Sequence, residues 1–177
     1  MYTTGLKKTA KIPETNYHIM ELDELYWFIG RKPRTATKEN VYVMVVANRK
    51  PRLITGFDAA YDKSPERIQN MIDNAPFADK YCTDGYLGYI DVDYPGKHIR
   101  NIHNKKDTCT VEGVNADLRH YIPILARRSR CFARSLDTLL AVLNVFVDAY
   151  NKFGIAKHKY RLTHDTKELP FGIVDFL

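Results

Sequence analysis

Apolar residues recur along this chain with two periods, and the change from one to the other divides it. Residues 17–30, YHIMELDELYWFIG, are apolar on both alternating faces, as in a strand covered on both sides. VYVMVVAN (41–48) is a second strand rich in β-branched residues, and RLITGFDA (52–59) is a third. SPERIQNMIDNA (64–75) switches to helical spacing: Ser64 is the expected N-cap, Pro65 takes the first helical position, and Ile68, Met71 and Ile72 share one side. DKYCT (79–83) reads as a short fourth strand ending at a DG pair, and KHIRNIH (97–103) as a fifth.

Two helices follow. The first starts near Thr108 or Cys109, places Val111, Val114, Leu118, Ile122 and Leu125 on one face, and should kink or end near Pro123. A second stripe on it, Glu112, Asn115 and Arg119, obeys the same spacing, so an acid, an amide and a guanidinium stack along a neighbouring face. By itself that stripe is a solvated face with a weak charge network. The last helix opens at Ser135 as N-cap and buries Leu136, Leu139, Leu140, Leu143, Val147 and Tyr150, with Gly154 where a C-terminal cap belongs. This order predicts an α/β fold with a mixed five-stranded sheet, antiparallel in its first half, and flanking helices.

Composition narrows the class. At 177 residues, with 45% hydrophobic and 12% aromatic residues, the chain suits one globular domain. We read residues 1–16 as a polar tether, 17–160 as the domain and 161–177 as a tail. The longest apolar run, VYVMVVA, falls far short of the ~20 residues of a membrane span, and the amino terminus lacks the apolar core of a secretory signal. Cys82, Cys109 and Cys131 form no CxxC pair, which argues for reduced thiols in a cytoplasmic protein and against a disulfide framework or a zinc finger.

Charge is uneven. From Arg119 to Arg161 nine Lys or Arg stand against Asp137 and Asp148, whereas the rest of the chain sums to −1 out of a total of +6. A nearly neutral body with a basic carboxyl-terminal portion suits a polyanionic partner.

Three places hold acids that stand apart from the surface charge. Asp23 and Glu24 sit inside the first strand, where a carboxylate costs several kcal/mol unless paired or metal-bound. Alternation puts them on opposite faces, so only one is expected to serve a given site; Glu21 shares the face of Asp23. Asp84 ends the fourth strand, where open α/β sheets place their ligands, although a plain DG turn would look the same. Glu112 lies on the helix. Carboxylates from two strands and a helix, beside a basic half, suit phosphodiester chemistry with two divalent ions ~3.5–4 Å apart. Oxygen ligands without a His/Cys cluster favour Mg²⁺ or Mn²⁺ over zinc.

Four blocks in order, ELDELYWFIGRK (21–32), YCTDGY (81–86), KKDTCTVEGVNADLR (105–119) and LARRSRCFARS (125–135), resemble transposases of the bacterial insertion-sequence-one type, in their InsB-like catalytic portion. The first has that family's D-E followed by an aromatic and xxGxK. The second has its T-D-G, the third its K-x-x-T-x-x-x-E-x-x-N-x-x-L-R, and the last is similar to its R-K-S-x-S-F-S-K-S. The third and fourth together, at this spacing, are the specific part of the resemblance.

The resemblance implies a ribonuclease-H-like fold with a DDE triad falling on Asp23, Asp84 and Glu112, which would hold two Mg²⁺ or Mn²⁺ ions. Water would first free a 3′-hydroxyl, which then attacks target DNA. Asn115 and Arg119 would accompany the glutamate, Arg119 holding a phosphate or orienting Glu112, with Lys105 and Thr108 on the approach to it. Arg127, Arg128 and Arg134 would contact the DNA backbone, positioning it rather than reading sequence. The implied partners are transposon ends and target DNA, and further copies of the chain in a synaptic complex, with no membrane.

Gly113, Pro123 and Ala133 depart from the pattern, glycine costing about 1 kcal/mol in a helix relative to alanine. The family's zinc-finger and helix-turn-helix end-binding region has no counterpart upstream of residue 17. The expectation is therefore a catalytic domain, a downstream reading frame or a truncated copy, with end binding supplied separately. The rival readings are a nuclease of the same fold that only hydrolyses, and a non-catalytic DNA-binding derivative of a transposase. His103 is given no role, and Trp27 with its neighbouring tyrosines is assigned to the core.

Overall fold

The computed structural model describes residues 17–30, 40–102, 106–126 and 131–153. Five strands, β1 (Ile19–Phe28), β2 (Asn40–Asn48), β3 (Leu53–Ala60), β4 (Lys80–Thr83) and β5 (Lys97–Arg100), form one mixed sheet in the order β3-β2-β1-β4-β5. β1, β2 and β3 are antiparallel neighbours, and β4 and β5 run parallel to β1. Three helices accompany the sheet: α1 (Pro65–Asp73), α2 (Cys109–Tyr121) and α3 (Leu136–Phe153). The α/β class and the antiparallel first half predicted from the sequence are both present, in an arrangement compatible with a ribonuclease-H-like fold. None of the helices among the described residues is long and apolar enough to cross a membrane.

The double-sided burial of β1 follows from its central place, and alternation sends its residues to two cores. Leu25 and Trp27 join Val41, Val43, Val45 and Ala47 of β2 beneath α2 and α3, whose Val111, Val114, Leu118, Leu139, Leu143 and Val147 complete that core. Met20 and Leu22 join Met44 and Val46 on the other face, under Ile68, Met71 and Ile72 of α1. Trp27 is core as expected, but Tyr26 is about half exposed, edge-on to Tyr42 on the strand beside it.

Several boundaries differ from the sequence reading. β5 stops at Arg100 rather than running to 103, since it pairs only with the four residues of β4. Ser64 makes no side-chain cap bond to α1, whereas Ser135 does cap α3, its Oγ accepting the Thr138 N–H at 3.2 Å. α2 ends at Tyr121 and a short 3₁₀ turn over Pro123–Leu125 follows, because proline has no N–H to continue the ladder. Gly154 lies outside the described residues.

Candidate active site

β4 ends one residue short of Asp23 on β1. The parallel pairing stops at Leu22 opposite Thr83, so Asp23 and Glu24 emerge beside Asp84, the residue that follows β4. Asp23 lies opposite Val45 on the α2 side of the sheet and Glu24 opposite Met44 on the α1 side. Alternation is expected to keep them apart, yet both line one cleft. One carboxylate oxygen each from Asp23, Glu24 and Asp84 lie within 4.8 Å of one another. Alternation separates side chains only where a neighbouring strand divides the two faces; past the end of β4 the crevice is open to both.

Asp84 is also the DG turn that its sequence suggested. Its Oδ1 accepts the Tyr86 N–H at 2.9 Å, an Asx turn, and Arg100 Nη2 donates to the Gly85 carbonyl at 2.6 Å, tying the turn to the end of β5. The helical stripe closes the opposite wall. Glu112, Asn115 and Arg119 line a cleft of about 310 Å³ together with Asp23, Glu24 and Asp84. Asn115 Nδ2 donates to Asp23 Oδ2 at 2.9 Å, and Thr108 Oγ1 lies 3.4 Å from Glu112 Oε1 as donor.

Burial pushes the Asp23 carboxyl above its ordinary range; the Glu24 amide and Asn115 oppose the shift, and the charges of Asp84 and Glu112 add to it. Burial likewise raises Glu24, against the opposing charge of Lys63 and with the further push of Asp84 and Asp23. Lys63 Nζ stands 3.4 Å from Glu24 Oε1 and 3.6 Å from the centre of the Tyr86 ring.

The sequence reading gave no role to Glu21. It is fully buried, its Oε1 accepts Arg49 Nε at 2.6 Å, and its Oε2 accepts the backbone N–H groups of Thr110 at 2.6 Å and Val111 at 3.0 Å. Those two amides belong to the first turn of α2 and have no partner inside the helix, so Glu21 serves as a cap supplied from another element. Arg49 Nη2 continues to the Asp107 carbonyl at 3.1 Å, and Asn101 Nδ2 donates to Asp107 Oδ2 at 2.6 Å. The helix that carries Glu112 is thus pinned to β1 two residues from Asp23. A mid-strand glutamate was the one signal in the sequence; its partners lie 28 and about 90 positions away.

Of the other predicted residues, Arg134 is exposed next to Ala133, whose carbonyl accepts the Gly30 N–H at 2.8 Å, beyond the end of β1 and not in the cleft. Lys105, Arg127, Arg128 and His103 lie outside the described residues. A larger cavity of about 450 Å³ between β3, α1 and α3 holds one acid, Asp58, already paired with Arg67 at 3.3 Å. Among the described residues it offers no carboxylate cluster.

No family model matches the chain, and no curated protein does. Among solved structures, the chain is similar to one in the cryo-EM structure of the simian T-cell lymphotropic virus intasome in complex with PP2A regulatory subunit B56 gamma. The TM-score is 0.54 at 11% identity, over 76% of this chain and 50% of that one. The chain therefore spans about half the length of that relative, and the likeness is one of fold.

Proposed function

We propose that this chain is a DNA transposase catalytic domain of ribonuclease-H-like fold, cleaving and joining DNA strands with Mg²⁺ or Mn²⁺. The observation that carries the reading is the grouping of Asp23, Glu24 and Asp84 oxygens within 4.8 Å at a strand end, with Glu112 on the wall of the same cleft. The fold shared with a chain of an intasome supports it, as does the insertion-sequence-one resemblance of the four blocks.

The donor set fits hard divalent cations: carboxylates and an amide oxygen, with no thiol or imidazole lining the cleft among the described residues. Asn115 Oδ1 is buried and accepts no hydrogen bond among the described residues, a position where an oxygen ligand would gain a partner. When bound, the ions would stabilise negative charge on the attacking and leaving oxygens of an in-line displacement.

Asp23, Asp84 and Glu112 would hold the ions, and Asn115 keeps the Asp23 carboxylate oriented. Arg119, at the same wall, would bind a non-bridging phosphate oxygen. Lys105, Arg127, Arg128 and Arg134 would hold the DNA backbone, on transposon ends and target, and synapsis of two ends would engage more than one copy of the chain.

An assay with a pre-nicked transposon-end duplex and a supercoiled target tests this. Joined products that require Mg²⁺ or Mn²⁺ are expected, and Asp84→Asn should lower their yield by at least ~100-fold, the scale of losing one transition-state-stabilising group. Strand joining that survives Asp84→Asn would overturn the assignment; nicks without joining would leave a hydrolytic nuclease.

A further inference from the structure

We infer that Glu24 is a fourth carboxylate ligand of the metal centre, reaching it from the face of β1 opposite Glu112; this rests on the proposed reading of the cleft. The Glu24 side chain is only 6% exposed, and one of its oxygens shares the 4.8 Å grouping with Asp23 and Asp84. A carboxylate buried beside two others is costly unless cations compensate it. Lys63 is the one cation paired with Glu24 among the described residues.

Lys63 has a second seat. Its ammonium lies 3.6 Å from the centre of the Tyr86 ring and 5.4 Å from that of Tyr42, so it keeps cation–π contacts if Glu24 turns to an ion. The opposite wall carries an independent sign of a ligand. Asn115, 5% exposed and lining the same cleft, has an amide oxygen that accepts no hydrogen bond among the described residues. Mg²⁺ takes six oxygens, of which waters and substrate phosphates supply several, and the Glu24 oxygen already grouped with those of Asp23 and Asp84 can take one of these positions. Lys63 is then a placeholder that the ion displaces.

Mn²⁺ binding to the full chain, read from the loss of the free-ion paramagnetic resonance signal, tests this without DNA or turnover. Glu24→Gln should weaken binding about tenfold or more, as Asp84→Asn should, while Lys63→Met should tighten it several-fold by removing the competitor. Circular dichroism establishes that each variant is folded. Unchanged binding in Glu24→Gln with weakened binding in Asp84→Asn would overturn the role of Glu24 and leave the cleft as read. Unchanged binding in Asp23→Asn, Asp84→Asn and Glu24→Gln alike would overturn both. Should Glu24→Gln not fold, Lys63→Met decides: tighter binding supports the inference, and equal or weaker binding overturns it.

Discussion

Glu21 and Asp23 sit two residues apart on one face of one strand, both beneath α2, and they have opposite surroundings. Glu21 accepts three hydrogen bonds, one from a guanidinium and two from the open end of a helix. Asp23 has the Asn115 amide and the Glu24 backbone N–H for support, and it faces the charges of Asp84 and Glu112. The first has every partner that a buried carboxylate needs within the chain. The second is held among like charges, and shifts of that kind cluster at functional sites. Burial therefore does not tell these two acids apart; the count and sign of their partners does.

Removing the satisfied member should have the largest effect. Glu21→Ala leaves Arg49 without its buried partner and strips two helix amides, so it should destabilise the fold by about 3–5 kcal/mol. For a domain of this size that corresponds to a fall in Tm of roughly 10 °C or more, read by thermal denaturation. Asp23→Asn, by contrast, removes one of several crowded acids and should leave the metal-free Tm unchanged or raised, while abolishing strand joining. Equal losses of Tm in the two variants would erase the distinction.

The unsatisfied cluster should also set how stability follows pH. Burial and neighbouring acids raise Asp23 and Glu24 in the folded state above their unfolded values, so folding favours their protonated forms. Their contribution is fully present below the ordinary carboxylate range and is lost as pH rises through the raised folded values. Protein treated with EDTA should accordingly lose Tm as pH rises from the ordinary carboxylate range through the raised folded values, and Asp23→Asn should flatten that slope. Saturating Mg²⁺ at pH 8 should restore stability, by about 2.7 kcal/mol at a hundredfold excess over Kd. A slope that is identical in wild type and Asp23→Asn would show the cluster to be uncoupled from folding.

Much of this was legible in the residues. The succession of strands and helices and the double-sided burial of β1 follow from periodicities of two and 3.6, because burial imposes them locally on β1, β2 and α2. Three acids, an asparagine and an arginine that the sequence put forward, Asp23, Asp84, Glu112, Asn115 and Arg119, do line one cleft. Glu24 was set aside by a rule that holds only where a strand has a neighbour on that side, and where β4 stops is a fact of pairing. Glu21 escaped for a related reason: its partners come from the turn after β2 and the start of α2, and no local pattern marks a bond across such separations. The departure at Gly113 read in the sequence only as a weak point in the first turn of the helix.

The structure gives that glycine a reason, and with it a smaller effect that extends the same comparison. Arg52 crosses α2 at Gly113 to reach Asp117, 3.0 Å from Nη2 to Oδ2; Tyr150 OH donates to the same oxygen at 3.3 Å. Asp117 is therefore another acid of the satisfied kind. A Cβ at residue 113 would stand 2.6 Å from Arg52 Nη2, so the guanidinium must shift. Gly113→Ala gains about 1 kcal/mol of helix propensity. It strains a charged hydrogen bond worth about 1.5–3 kcal/mol, so the net expectation is a loss of roughly 1 kcal/mol in urea denaturation. In an Arg52→Met background, where no guanidinium is left to displace, the same Gly113→Ala change should stabilise the fold. If it destabilises both backgrounds equally, the glycine is there for the backbone of α2 and not for the arginine.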